Sequence, residues 1–61
     1  MDKLKTFFQL TWNVVTPGGF RYPQKAFFDH EIAARFRVWV LRHSRGVENI
    51  NLRKLQYKPN K

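Results

Sequence analysis

The sequence predicts an α+β fold in which one amphipathic helix packs on a small antiparallel sheet. The sheet is expected to consist of an N-terminal hairpin and a C-terminal strand, because two stretches alternate apolar and polar residues and the first leads into a proline- and glycine-rich turn. The helix is expected because apolar residues recur at helical spacing in the middle of the chain. With 61 residues the chain makes at most a single small basic domain. The alternative fold is an all-α helical hairpin.

The first predicted element is a strand over residues 8–14, where apolar and polar side chains alternate without a slip. An amphipathic helix over residues 4–15 is the alternative, because large apolar residues of this segment also recur at helical spacing. The turn over residues 16–19, Thr-Pro-Gly-Gly, favours the strand, since proline suits the second position of a turn and glycine accepts positive φ. The second arm is expected to be short and to stop at Pro23, which has no N–H for the ladder.

The clearest predicted element is a helix that ends near Arg45, with Gly46 as the left-handed residue that terminates it. The sequence allows two N-termini for this helix: one capped by Asp29, and one further upstream with Pro23 in the first turn of a longer helix. At about 100° per residue, one broad apolar arc forms, and we expect this arc to pack on the sheet. Its members are Phe28, Ile32, Ala33, Phe36, Trp39 and Val40, with His43 among them.

The opposite arc of the helix combines positive charge with a second, narrower apolar strip. Glu31 precedes Arg35 by four residues, which is the favourable orientation for a helical ion pair. If the broad arc forms the core, this strip is apolar surface beyond what a stand-alone monomer needs to bury. We therefore expect it to contact a partner protein. The strip consists of Ala34, Val38 and Leu41.

The last predicted element is a short third strand within residues 47–57, with a helical turn as the alternative. The alternation changes phase after Leu52, so we expect a bulge near Arg53 and Lys54. Such a bulge places Ile50, Leu52, Leu55 and Tyr57 on one face. The polar, charged residues 58–61 are expected to form a mobile tail.

Aromatic rings are unusually abundant for so small a chain, at 16% of residues. Each ring can bury about 150–250 Å², and a domain of this size has little interior to offer. The chain has no cysteine, so neither a disulfide nor a thiolate metal site reinforces the core. We therefore expect some rings to be exposed, either as a partner surface or as platforms on which bases stack.

Positive charge is concentrated in the C-terminal half. Residues 33–61 carry a formal charge of +7 and residues 1–32 only +1. Because crowding like charges destabilises a compact state, the imbalance points to a polyanionic partner. Nucleic acid, an anionic membrane face and an acidic protein are the candidate classes.

Catalysis is poorly supported by the residues available. Asp29, His30 and Glu31 are consecutive, so on a helix they point about 100° apart and do not converge on one substrate atom or metal. His30 and His43 lie on different helical faces, and Gly18-Gly19 does not lead into a helix as a phosphate loop does. The sequence therefore predicts no enzymatic activity, no catalytic residue, no metal or cofactor, and no small-molecule substrate.

A non-catalytic, nucleic-acid-binding function fits the charge best, as a DNA-binding regulator or a component of an RNA–protein assembly. Arginine forks onto phosphate oxygens, and phosphate contacts give affinity without sequence specificity. No motif that reads base edges is present. The predicted nucleic-acid-binding residues are Arg35, Arg42, Arg45, Arg53 and Lys54, which are expected to contact phosphates, and Lys58 and Lys61, which are expected to add diffuse attraction.

Two other partner classes stay open. A small accessory subunit or modulator that docks on a larger protein complex is the alternative function, with the strip at Ala34, Val38 and Leu41 as its interface. Peripheral attachment to an anionic membrane is the third, on condition that the N-terminal segment is helical. The absence of a signal-peptide pattern and of any window of 18 apolar residues favours an intracellular location, in the cytoplasm or an organelle interior. The oligomeric state is left open.

Overall fold

The computed structural model describes residues 4–58, which form one antiparallel sheet and one helix. In chain order the elements are β1 (Lys5–Val15), β2 (Arg21–Phe28), α1 (Glu31–Arg42) and β3 (Val47–Tyr57). The strand order is β2-β1-β3, so the N-terminal strand lies in the centre and the helix crosses one face between the two edges. The predicted α+β fold is confirmed, and the all-α alternative is wrong because the N-terminal segment is a strand.

The hairpin turn forms where the glycines predicted it. The N–H of Gly19 donates to the carbonyl of Thr16 at 2.9 Å, and the N–H of Thr16 donates to the carbonyl of Phe20 at 2.9 Å. The Thr16 hydroxyl also accepts from the N–H of Phe20 at 3.2 Å. Gly19 has φ +87°, a backbone conformation that an L side chain rarely adopts, and this explains glycine at that position.

The second arm of the hairpin does not stop at Pro23, as the sequence predicted, but continues to Phe28. Pro23 pairs with Asn13 within the ladder between β1 and β2. Proline is tolerated there because β2 is an edge strand, where one side of the backbone has no neighbour to receive an N–H. Residues 24–28 therefore extend the sheet instead of starting the helix.

The helix begins at Glu31 and ends at Arg42, three residues before the predicted end at Arg45. Its N-cap is His30, without a side-chain cap, so the predicted cap at Asp29 is wrong. Beyond Arg42 the Ser44 hydroxyl donates to the Val40 carbonyl at 2.7 Å and so satisfies one of the last carbonyls of the helix.

Gly46 serves the turn into β3 and not the helix terminus. Its φ is +74°, and a Cβ there would lie 2.9 Å from the carbonyl oxygen of Val15. Its own carbonyl accepts from the N–H of Val15 at 2.7 Å. Glycine is thus required both by the backbone conformation and by the close approach to β1.

The predicted facing of the helix is wrong, because the narrow strip packs on the sheet and the broad arc does not. Ala34 is 0% and Leu41 8% exposed, whereas Ile32 is 84% exposed and Phe36 and Trp39 are exposed as well. Both connections to the helix are short and hold it close to the sheet. This leaves little height for the side chains on its inward face. Small Ala34 meets that requirement, and the bulky members of the broad arc do not.

The core lies between the helix and the covered face of the sheet. Leu10 on β1 is fully buried, with Ala26 and Leu52 as its cross-strand partners, and Phe8 is buried beside it. Burying a side chain such as Leu10 contributes about 1.5–3 kcal/mol. Among the described residues only four apolar side chains are buried, namely Phe8, Leu10, Ala34 and Leu41.

A bulge in β3 sets which of its residues face the helix. The pairing with β1 shifts at Trp12, which lies opposite both Asn49 and Ile50. Asn49 has φ 56°, in the left-handed region that asparagine tolerates. The bulge predicted at Arg53 and Lys54 is therefore misplaced. Consequently Ile50 and Leu52 face the helix, while Leu55 and Tyr57 point to the opposite side.

No helix within residues 4–58 has the length and apolar character needed to cross a bilayer.

Candidate nucleic-acid interface

The helix covers one face of the sheet, and the opposite face, here called the open face, has no second layer within residues 4–58. The strand register and the alternation of side chains define its members. They are Lys5, Phe7, Gln9, Thr11, Asn13 and Val15 on β1, Arg21, Pro23, Lys25 and Phe27 on β2, and Glu48, Asn51, Arg53, Leu55 and Tyr57 on β3.

Three rings, one from each strand, form a row across the open face. The centroid of Phe7 lies 6.1 Å from that of Phe27 and 5.4 Å from that of Tyr57. Phe7, on the central strand, is half-buried between the other two. Phe27 is 60% and Tyr57 49% exposed. We call this row, Phe7, Phe27 and Tyr57, the aromatic row.

Polar side chains continue the open face beyond the aromatic row. Gln9 lies between Phe27 and Arg53, and Thr11 lies between Lys25 and Asn51. A concavity of about 700 Å³ lies at this end of the sheet and takes in residues of both faces but none of the helix. Its lining is Thr11, Asn13, Pro23, Lys25 and Asn51 from the open face, together with Trp12, Gln24, Asn49 and Ile50. Amides, a hydroxyl and cations therefore lie beside the rings.

The far end of the open face carries an ion pair. Arg21 donates through Nε to the Glu48 carboxylate at 2.9 Å, and this hydrogen bond, followed by the charge of Glu48, raises the pKa of the Arg21 guanidinium above its ordinary value. Both side chains are exposed, so the pair contributes little to stability. It nevertheless neutralises the one carboxylate that the described part of the open face presents.

On the helix side, an open groove of about 360 Å³ runs between α1 and β3. Its floor is apolar and two arginines lie on its helical wall. Arg35 is bonded to Glu31 at 2.8 Å, so the predicted helical ion pair is confirmed, whereas Arg42 has no acidic partner within residues 4–58. The lining residues are Arg35, Val38, Trp39, Arg42, Ile50 and Leu52.

The outward side of the helix carries an exposed ridge. Phe36 and Trp39 stack with centroids 6.3 Å apart, and Trp39 contacts the His43 ring at 4.4 Å. Nδ1 of His43 lies 2.8 Å from the Trp39 carbonyl oxygen. The helical ridge is defined as Ile32, Phe36, Trp39 and His43. With the aromatic row, it confirms the expectation that this chain exposes several of its rings.

The structure divides the predicted phosphate contacts between two faces. Lys54 lies on the helix side of β3, the side on which Arg35 and Arg42 line the groove, and Arg53 lies on the open face. The remaining predicted contacts are apart from both: Arg45 is in the turn before β3, Lys58 follows the strand, and Lys61 lies outside the described residues.

The predicted protein interface is not available as a surface. Ala34 and Leu41 are buried against the sheet and Val38 is half-buried. Their prediction as a partner surface depends on the broad apolar arc forming the core, and the helix has the reverse orientation. The exposed apolar side of the helix is instead the helical ridge.

Sequence reasoning did not find the aromatic row, since its members are far apart in the chain and only the register brings them together. A partial signal was present: Phe7 has the parity of the polar residues Gln9, Thr11 and Asn13, which marks it as pointing away from the core. Within residues 4–58 no three histidine, cysteine or acidic side chains approach closely enough to hold a metal ion.

No family model, curated protein or solved structure matches this chain. Its function is therefore inferred from its surfaces.

Proposed function

We propose that this protein is a small, non-catalytic nucleic-acid-binding protein that acts inside the cell, as a DNA-binding regulator or as a component of an RNA–protein assembly. The observation that carries the proposal is the edge strand β3. Consecutive Arg53 and Lys54 point to its two faces, Arg42 lines the groove between α1 and β3, and none of the three has an acidic partner within residues 4–58.

The position of these cations at a sheet edge suits a polyanion. A phosphate backbone that follows the β3 edge meets Arg53 from one face and Lys54 from the other, and Lys58 extends the same edge. Guanidinium groups bind phosphate oxygens in a forked geometry. The same charges oppose pairing of β3 with a second β3, which protects an otherwise bare edge.

Arg35 and Arg45 have smaller roles in this proposal. Arg35 is partly neutralised by Glu31, so it contributes less than Arg42 to attraction of a polyanion. Arg45 and Lys58 add diffuse attraction.

A second candidate function, docking on a larger protein complex, is supported by the helical ridge. Ile32, Phe36 and Trp39 form a contiguous apolar surface that the monomer leaves in solvent. Exposed apolar patches of this kind mark sites of protein–protein interaction. Membrane attachment lacks its stated condition, because Lys5–Val15 is a strand and not an amphipathic helix.

Fluorescence anisotropy with labelled RNA and DNA at about 50 mM salt tests the proposal, since phosphate contacts are strongest at low ionic strength. Arg42→Gln and Arg53→Gln should each weaken binding several-fold. Arg37→Gln is the matched control, because it removes the same charge from an exposed position of the helix away from both sites. Undetectable binding of wild type, or an equal loss in the control, would refute the proposal.

A pull-down from lysate, with and without nuclease, separates the two candidate functions. Loss of partners on digestion supports nucleic-acid binding. Persistence of the partners supports docking on a protein, and substitution of Trp39 by serine should then abolish their capture.

A further inference from the structure

We propose that the open face binds single-stranded nucleic acid by stacking bases on the aromatic row, an inference that rests on the proposed function and names its ligand class. Phe7, Phe27 and Tyr57 lie on three adjacent strands, so together they span the width of the sheet. Stacking on aromatic side chains is the usual way in which proteins hold unpaired bases without reading their sequence.

Folding does not require these rings where they are. The helix packs on the other face, and the buried core is formed by residues that point toward it. Phe27 and Tyr57 stay about half exposed or more, so they bury only part of the area that a core ring would. A polar residue at either position would leave the core unchanged.

The ring spacing favours a single strand over a duplex. Neighbouring centroids are 6.1 and 5.4 Å apart and the ring planes are inclined by 48° and 72°, so the three rings do not match the parallel bases, about 3.4 Å apart, of a duplex strand. Bases must therefore be unstacked from one another before each can lie on a ring. A duplex keeps its base faces covered and offers the row nothing to stack on.

The surroundings of the row are complementary to a phosphate backbone. Lys5, Lys25 and Arg53 lie on the same face without an acidic partner in the described chain, and the one carboxylate there, Glu48, is bonded to Arg21. Gln9 and Asn51 add amide groups that can donate to or accept from base edges. A protein partner would have to cover these cations and amides, whereas a nucleic acid is attracted by them.

The test is an anisotropy titration of a labelled single strand of about 12 nucleotides, competed with unlabelled single strand or with the duplex of the same sequence. The duplex should compete less well than the single strand. The double variant Phe27→Ser with Tyr57→Ser should lose about fivefold or more in affinity per ring, as base–aromatic stacking implies. Because no charge is removed, the dependence of binding on salt should keep its slope.

Matched controls come from two other exposed rings. Phe20 is 67% and Phe36 65% exposed, and neither lies on the open face. The double variant Phe20→Ser with Phe36→Ser should bind like wild type. Phe27→Leu with Tyr57→Leu keeps apolar bulk for folding but removes the ring faces, so it should lose affinity as the serine variant does.

The outcomes separate this inference from the proposed function. If wild type binds no nucleic acid, both fail. If it binds duplex and single strand equally well, or if the row variants and the controls behave alike, the proposed function stands and the stacking inference is wrong. The inference is also wrong if the row variants keep oligonucleotide affinity but lose a protein captured from nuclease-treated lysate.

Discussion

The orientation of the helix yields the sharpest stability prediction, because sequence pattern and structure give opposite answers. The matched substitutions are Leu41→Ala and Ile32→Ala, each of which shortens an aliphatic side chain on α1. Leu41 is buried against the sheet and Ile32 is exposed. The structure therefore predicts a large effect at position 41 and almost none at position 32.

The magnitude follows from burial. Truncation of a buried leucine to alanine costs about 2–5 kcal/mol, through lost transfer free energy and the cavity left behind. At Ile32 little buried area is lost and alanine is the better helix former, so the free energy of unfolding should change by about 0.5 kcal/mol at most. A domain of this length has a total stability of about 3–9 kcal/mol, so Leu41→Ala removes a large part of it.

Thermal and urea unfolding followed by circular dichroism measure both variants. A loss of about 2 kcal/mol lowers the melting temperature of a domain this small by about 8–16 °C, well outside experimental error. Ile32→Ala should melt close to wild type. If Ile32→Ala is the more destabilised variant, the broad arc packs on the sheet and the helix orientation described above is wrong.

Three further predictions concern the turn, the ion pair and the charged edge. Gly46→Ala should destabilise the fold by about 1–3 kcal/mol in urea unfolding, because a Cβ at this positive-φ position would meet the Val15 carbonyl. Gly19→Ala, which has open space around it, should cost less. A larger cost at Gly19 than at Gly46 would contradict the close approach of Gly46 to Val15. Glu48→Gln should change unfolding free energy by less than about 0.5 kcal/mol, since both partners of the Arg21 pair are exposed, and a larger loss would show that the pair is structural. With Arg42, Arg53 and Lys54 on phosphates, single-strand affinity should fall about twentyfold between 50 and 200 mM salt, and a salt-independent affinity would exclude phosphate contacts.

Local patterns predicted the elements that depend on local chemistry. Alternation gave the N-terminal strand, the Thr-Pro-Gly-Gly segment gave the hairpin turn, and helical periodicity gave the middle of α1. The third strand was predicted for the same reason, although β3 is longer than expected at 11 residues. Each of these features is determined by residues close together in the chain.

Features that depend on tertiary contacts could not be predicted. Pro23 interrupts a strand unless it lies at a sheet edge, and the sequence does not say which strands are edges. The bulge is at Asn49 because asparagine accepts positive φ, but the phase change pointed to a later position. The helix turned its smaller apolar strip to the sheet because short connections hold it close, whereas counting apolar area favours the larger arc.

The sequence predicted the charge of the candidate site but not how its residues are arranged on the sheet. Arg42, Arg53 and Lys54 were found because cations dominate the C-terminal half, yet consecutive residues of a strand point to opposite faces, so one expected surface became two. The aromatic row depends on the register of three strands. No single segment of the sequence contains that information.

The central claim, that the β3 edge and the open face contact nucleic acid, is tested most directly by NMR titration of the ¹⁵N-labelled protein with a short unlabelled single strand. We expect the largest amide shifts in β3 around Arg53 and Lys54 and at Phe7 and Phe27, with small shifts at the helical ridge. A spectrum that stays unchanged at saturating oligonucleotide, or shifts confined to the ridge, would contradict the account.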